Sequence, residues 1–148
     1  MDKFCCLLGN NNPFLDEKKL KNAIIEVIEN KNINKFYLGN NGIFDSKCRT
    51  ILEDLKTLFN IEIYVVLSYF PHNKYNTSEN KNYSNKINFV YPDNEFVPPK
   101  FAISSRNKWM INNSSFIIFY IDYIHNANKF LELAKKKNKK FINLGKLN

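Results

Sequence analysis

The chain has 148 residues, of which 44% are hydrophobic and 15% aromatic, and it carries a formal net charge of +8. That length and apolar content suit one domain around one core and exclude a globally disordered chain. No apolar run approaches the length of a membrane-spanning helix, and Phe4 to Leu8 is too short for the apolar region of a signal peptide, so a cytoplasmic protein with no membrane partner is expected.

The basic charge favours a polyanionic partner, nucleic acid included. Its make-up weakens that inference. Only two of the 22 basic residues are arginine, and there are 25 asparagines. Joint lysine, asparagine and isoleucine enrichment is the mark of an AT-rich coding sequence, which raises charge without selecting for a partner. The three cysteines, Cys5, Cys6 and Cys48, form no disulfide framework and no metal spacing. Cys5 and Cys6 are adjacent, so in a strand they face opposite sides and read as small core residues.

Phe4-Cys5-Cys6-Leu7-Leu8, ended by Gly9 and three asparagines, predicts a buried strand. Leu20, Ala23, Ile24, Val27 and Ile28 then recur at helical spacing, with Asp16 and Glu17 at the favoured acidic end and a stop near Asn30. Lys35 to Leu38 is the second strand. Gly39-Asn40-Asn41-Gly42 is a turn suited to positive φ. A helix follows from about Phe44 to Phe59, with Ile51, Leu52, Leu55, Leu58 and Phe59 on its apolar face. Ile61 to Leu67 is the third strand.

Residues 70–98 hold prolines, asparagines and tyrosines, and predict a long loop excursion over one end of the sheet, with Phe89-Val90-Tyr91 packing back. Ser104 or Ser105 is expected to cap a helix through Arg106 to Asn113, with Trp109 anchored in the core. Phe116 to Ile121 is the fourth strand. Asn126 to Asn138 is a helix burying Phe130, Leu131 and Ala134, and Phe141 to Leu144 is the fifth strand.

Apolar strands alternating with amphipathic helices predict a single α/β domain over residues 1–148. The expected form is a Rossmann-like, doubly wound three-layer α/β/α sandwich with a mainly parallel five-stranded sheet of order 3-2-1-4-5. In such a sheet ligands bind beyond the carboxyl ends of the strands, near the point where strand order reverses. Gly9 and Asn10 lie there, as do Gly39, Asn40, Asn41, Gly42 and Asp45. The turn amides suit an anion or a sugar, and Asp45 suits ligand hydroxyls, unless it only caps its helix. Arg106 offers a planar fork for phosphate, with Asn107 beside it; a surface salt bridge is the plainer reading. His125 stands after the fourth strand, where a lone histidine is a weak candidate base, and His72 is weaker still. No zinc motif, P-loop or GxGxxG is present, so no cofactor is expected. The lysines from Lys135 to Lys140 fit a solvated helix end better than a nucleic-acid contact.

Three stretches carry a resemblance to a known family. They are Phe36 to Asp45, Phe101-Ala102-Ile103-Ser104-Ser105-Arg106-Asn107-Lys108-Trp109-Met110-Ile111, and Glu132 to Leu144. The chain resembles the SLOG superfamily of Rossmann-like proteins, of the YpsA type, which is distantly related to DprA and to the cytokinin-activating nucleotide phosphoribohydrolases. The resemblance implies binding, sensing or processing of a nucleotide or nucleotide-derived ligand, with the Gly39 turn, Asp45, Arg106 and Asn107 lining the pocket. It also implies a homo-oligomer. Two stretches depart from the family pattern. Gly9-Asn10-Asn11 stands where Gly-His-Arg is frequent, and His125-Asn126 stands where a Gly-Gly pair cradles phosphate. The signature of the nucleotide-cleaving relatives is absent, although Glu132 lies on the following helix. A binding protein without strong catalysis is therefore the leading expectation. A nucleotide N-glycosidase using Asp45 or Glu132 comes second, ahead of a DNA-binding module or a protein-interaction factor of phage or bacterial kind.

Overall fold

The computed structural model describes residues 2–69, 87–123 and 127–147. Among these residues six strands form one all-parallel sheet: β1 (Phe4–Gly9), β2 (Lys35–Leu38), β3 (Glu62–Val66), β4 (Ile87–Val90), β5 (Phe116–Tyr120) and β6 (Lys140–Asn143). Four helices are described with them: α1 (Glu17–Asn30), α2 (Ile43–Leu55), α3 (Ala102–Asn112) and α4 (Asn128–Lys136). The sheet order is β4-β3-β2-β1-β5-β6. The five expected strands keep their expected neighbours. The sixth, β4, adds at the edge beside β3, so part of the segment read as a loop is a strand. It escaped the sequence reading because an edge strand is buried on few sides and needs no continuous apolar run; Asn88 and three partly exposed neighbours suffice.

Strand alternation divides the core in two. Cys5, Leu7, Phe36, Leu38, Ile63, Val65 and Ile118 face α1 and α2. Cys6, Leu8, Tyr37, Val66, Ile117 and Phe119 face α3 and α4. The two adjacent cysteines thus sit in opposite layers, and all three cysteines are free and buried. Trp109 is half-buried and meets the edge of Tyr37, ring centroids 5.2 Å apart. No helix among the described residues is long and apolar enough to cross a membrane.

Local sequence explains most helix limits. Asp16 caps α1 by accepting the Lys19 N–H at 3.0 Å. α4 ends with Lys135 and Lys136 in its last turn, and Asn138 follows at φ 55°, a left-handed stop that asparagine tolerates. α2 is shorter than expected. It ends at Leu55, the Phe59 N–H closes onto the Leu55 carbonyl at 2.8 Å, and Leu58 is 74% exposed rather than on the apolar face. The chain turns there because Ile61 must enter the sheet layer. α3 also differs. It starts at Ala102, out of a 3₁₀ turn at Pro99–Phe101, and neither Ser104 nor Ser105 caps it. Proline supplies the helical φ at this start. The Ser105 hydroxyl instead donates to Asn94 Oδ1 at 3.1 Å. Asn94 in turn donates to the carbonyls of Ser68 and Ala102, tying the end of β3 to the start of α3.

Candidate ligand-binding site

Strand order reverses at β1. The chain leaves β1 toward β2, β3 and β4, then returns to place β5 on the other side. The loops after β1 and β5 therefore part to opposite faces, which opens a crevice at their carboxyl ends. A cleft of about 590 Å³ lies there, within the range of small-molecule sites. Its floor comes from Gly9 at the end of β1, Asn10 and Asn11 after it, Asn41 after β2, and Arg106 and Asn107 in α3. Its walls include Phe44, Phe101 and Tyr123, with Lys100 and Lys129 among them. A groove of similar size, about 600 Å³, runs along α1 past Phe116 and Lys140. It opens at the amino ends of β5 and β6, away from every loop that a parallel sheet uses for binding.

The Gly39 turn is built around two buried charges. Gly42 adopts φ 96°, which an L side chain strains to reach, so the turn needs glycine there. Gly39 is needed for closeness: a Cβ on it would lie 2.6 Å from both Arg106 Nη1 and Asp45 Oδ2. Asp45, in the first turn of α2, is 9% exposed and reaches back to accept the Asn41 N–H at 3.0 Å. The bond closes the turn one residue before the N-cap, Gly42. Burial pushes the Asp45 carboxyl above the ordinary carboxylate range. The Arg106 charge and the backbone amides of Asn41 and Gly39 oppose that shift.

Arg106 is 2% exposed. Its Nε donates to Asn107 Oδ1 at 2.8 Å, and its Nη1 donates to the Val66 carbonyl at 3.0 Å and to Asn41 Oδ1 at 3.2 Å. Asn40 Oδ1 lies at 3.5 Å from the same Nη1. Burial lowers the guanidinium's affinity for its proton, and Asp45 restores part of it. The plainer alternative of a surface salt bridge does not describe this residue. Arg106 lines the cleft, yet most of its donors hold β2, β3 and α3 together.

The β1 loop is equally organised. Asn10 is 6% exposed, and its Oδ1 accepts the Asp122 N–H at 2.7 Å. The Asp122 carboxylate accepts Asn12 Nδ2 at 3.1 Å and the Lys146 N–H at 3.1 Å. Asn11 Oδ1 accepts the Phe44 N–H at 3.2 Å. It thereby caps α2, whose own N-cap position, Gly42, has no side chain to do so.

The structure thus brings together Gly9, Asn10, Asn41, Asp45, Arg106 and Asn107. Asn40 and Gly42 lie on the outer side of the Gly39 turn, around a smaller depression with Gly39 and Thr50. Glu132 is outside the cleft, exposed, with its carboxylate 3.8 Å from Lys135. His72, His125 and Asn126 fall outside the described residues. Among the described residues no group of three or more histidine, cysteine, aspartate or glutamate side chains is placed to hold a metal ion. Sequence reasoning placed Asn11 in a loop of the site without assigning it a role, and missed Lys100, Phe101 and Lys129. Asn11 had a usable signal, since a helix that begins after glycine needs its cap from elsewhere. The rim residues had none, because only the crossover geometry brings them to the cleft. No family model and no curated protein matches the chain.

Proposed function

We propose that the chain binds a nucleotide or nucleotide-derived ligand in the cleft between the ends of β1 and β5, as a binding or sensing protein without strong catalysis. The observation that carries this reading is the cleft itself. At the strand-order reversal it combines an amide-lined floor with an aromatic wall, and the Phe101 ring there is 51% exposed. Exposed rings of this kind stack on heterocyclic bases. The resemblance to the SLOG superfamily supports the same ligand class, and the homo-oligomer it implies belongs to the proposal.

Binding fits better than bond cleavage. An N-glycosidase needs a carboxylate free to face a cationic sugar at the transition state. Asp45 is turned onto the Asn41 amide, Asp122 accepts from Asn12 and Lys146, and Glu132 is elsewhere. The lysines at the end of α4 lie at the amino end of β6, away from the cleft, which weakens a DNA-binding reading.

Calorimetric titration with nucleoside mono- and diphosphates, cyclic nucleotides and ADP-ribose tests the proposal. At least one should bind at micromolar strength or better and lose that binding in Ile103→Trp, which fills the cleft from α3. A wholly negative panel overturns it.

A further inference from the structure

Four asparagines line the cleft from three separate segments: Asn10 and Asn11 after β1, Asn41 after β2, and Asn107 in α3. In each, the carboxamide oxygen is already bonded. Asn10 accepts from the Asp122 N–H, Asn11 from the Phe44 N–H, Asn41 from Arg106 Nη1 and Asn107 from Arg106 Nε. A backbone amide and a guanidinium can only donate. The oxygen must therefore face them, and the orientation of all four carboxamides is fixed by chemistry.

What remains on each is the NH₂ group. None of the four donates to an acceptor among the described residues; those of Asn10, Asn41 and Asn107 are not sealed from solvent, and Asn11 is an exposed residue lining the cleft. Lys100 and Lys129 add further donors. The carboxylates of Asp45 and Asp122 already accept from the protein. Apart from Asp45, whose carboxylate is turned onto the Asn41 amide, the cleft's side chains of fixed polarity present donors. The amino terminus of α2 is closed to an anion at the Phe44 amide, because Asn11 occupies it.

We infer that the floor of the cleft is a donor subsite, in which oriented asparagine NH₂ groups hold an acceptor-only oxyanion of the ligand, a phosphoryl or carboxylate group. The inference rests on reading the cleft as a ligand site. It goes further by assigning the anion to side-chain amides rather than to a glycine-rich turn or to Arg106.

Asn→Asp substitution separates this role from a structural one. In Asn11→Asp the retained oxygen still caps α2, with a charge that a helix amino terminus favours. In Asn107→Asp it still accepts from Arg106, now as a charged pair. Both variants should keep or raise the thermal midpoint, yet each turns a ligand-facing donor into a negative acceptor. The probes are adenosine with AMP, guanosine with GMP, and pyrophosphate and malonate as base-free oxyanions.

The inference expects the phosphorylated member of a pair to bind at least about tenfold more tightly than its nucleoside, and that advantage to vanish in both variants, as befits loss of a hydrogen bond to a charged group. Preference for malonate over pyrophosphate would assign the subsite to a carboxylate, and the reverse to a phosphoryl group. Nucleosides binding as tightly as nucleotides, or variants that retain the advantage, would overturn it. Loss of pyrophosphate or malonate binding in the variants, with no nucleotide bound by the wild type, would support the subsite while overturning the nucleotide reading. No binding by any probe overturns both.

Discussion

Arg106 Nη1 donates to the Val66 carbonyl at 3.0 Å, so a side chain from helix α3 closes the last position of strand β3. The same guanidinium faces the Asp45 charge, and both groups are buried. Removing one member of such a pair leaves the other uncompensated. Arg106→Met should therefore cost about 3 kcal/mol or more in denaturant unfolding. In an Asp45→Asn background the same substitution should cost less, by at least about 1 kcal/mol. Equal costs in the two backgrounds would show that the charges do not interact.

Asp45 also sets a pH dependence. Its folded carboxyl holds its proton to higher pH than an unfolded one, whose ordinary value is about 3.9. Above that value the folded state binds more protons than the unfolded state, so unfolding free energy falls as pH rises until the raised value is passed. Asp45→Asn keeps an oxygen for the Asn41 amide and removes the titration. Its stability should be flatter over that interval, and the difference from wild type should shift in favour of the variant as pH rises. Chemical unfolding at several pH values reads this directly.

Gly39 lies against both charges. Gly39→Ala places a methyl group against Arg106 and Asp45. We expect a loss of about 1–3 kcal/mol, typical of forcing volume into a packed site. A variant as stable as wild type would mean that the turn shifts freely.

The thiols of Cys5, Cys6 and Cys48 are buried, and burial pushes each one's pKa up. Neither access nor thiolate character favours reaction. A disulfide reagent at mild alkaline pH should leave the native protein unmodified over the time in which the denatured protein yields three equivalents. Fast native labelling would place a cysteine at the surface.

Lys100 and Lys129 stand at the cleft with no carboxylate within ion-pair distance among the described residues. Replacing each with alanine should weaken an anionic ligand by roughly two- to fivefold, as for an exposed charge pair. The effect should fade with added salt, and the unfolding midpoint should hold.

The fold was legible where burial imposes periodicity. β1 and β5 are continuous apolar runs because both faces are covered, and the stripe of α1 predicted its four buried residues together with Ile28, which is only partly buried. β4 was not legible, since an edge strand carries little burial. At the site, Asp45, Arg106 and Asn107 were found from residue type: a carboxylate after a glycine turn, and one of only two arginines. Their roles were not. Nothing in local sequence says that Arg106 spends donors on Val66 and Asn41, because those partners come together only once β2 and β3 are paired and α3 is packed on them.

The cap that Asn11 gives to α2 spans 33 positions of the chain. A helix usually carries its starting signal within its own few residues, so that its first turn can form early. Here the signal arrives only after β1 and β2 have paired, which requires α1 to have crossed over. The cap on the Phe44 amide is thus bound to a long-range contact and forms late, whereas the Asp45 bond to the Asn41 amide in the same turn is local. The Phe44 amide should exchange with solvent by way of the opening that separates β1 from β2, not by local fraying of the helix end.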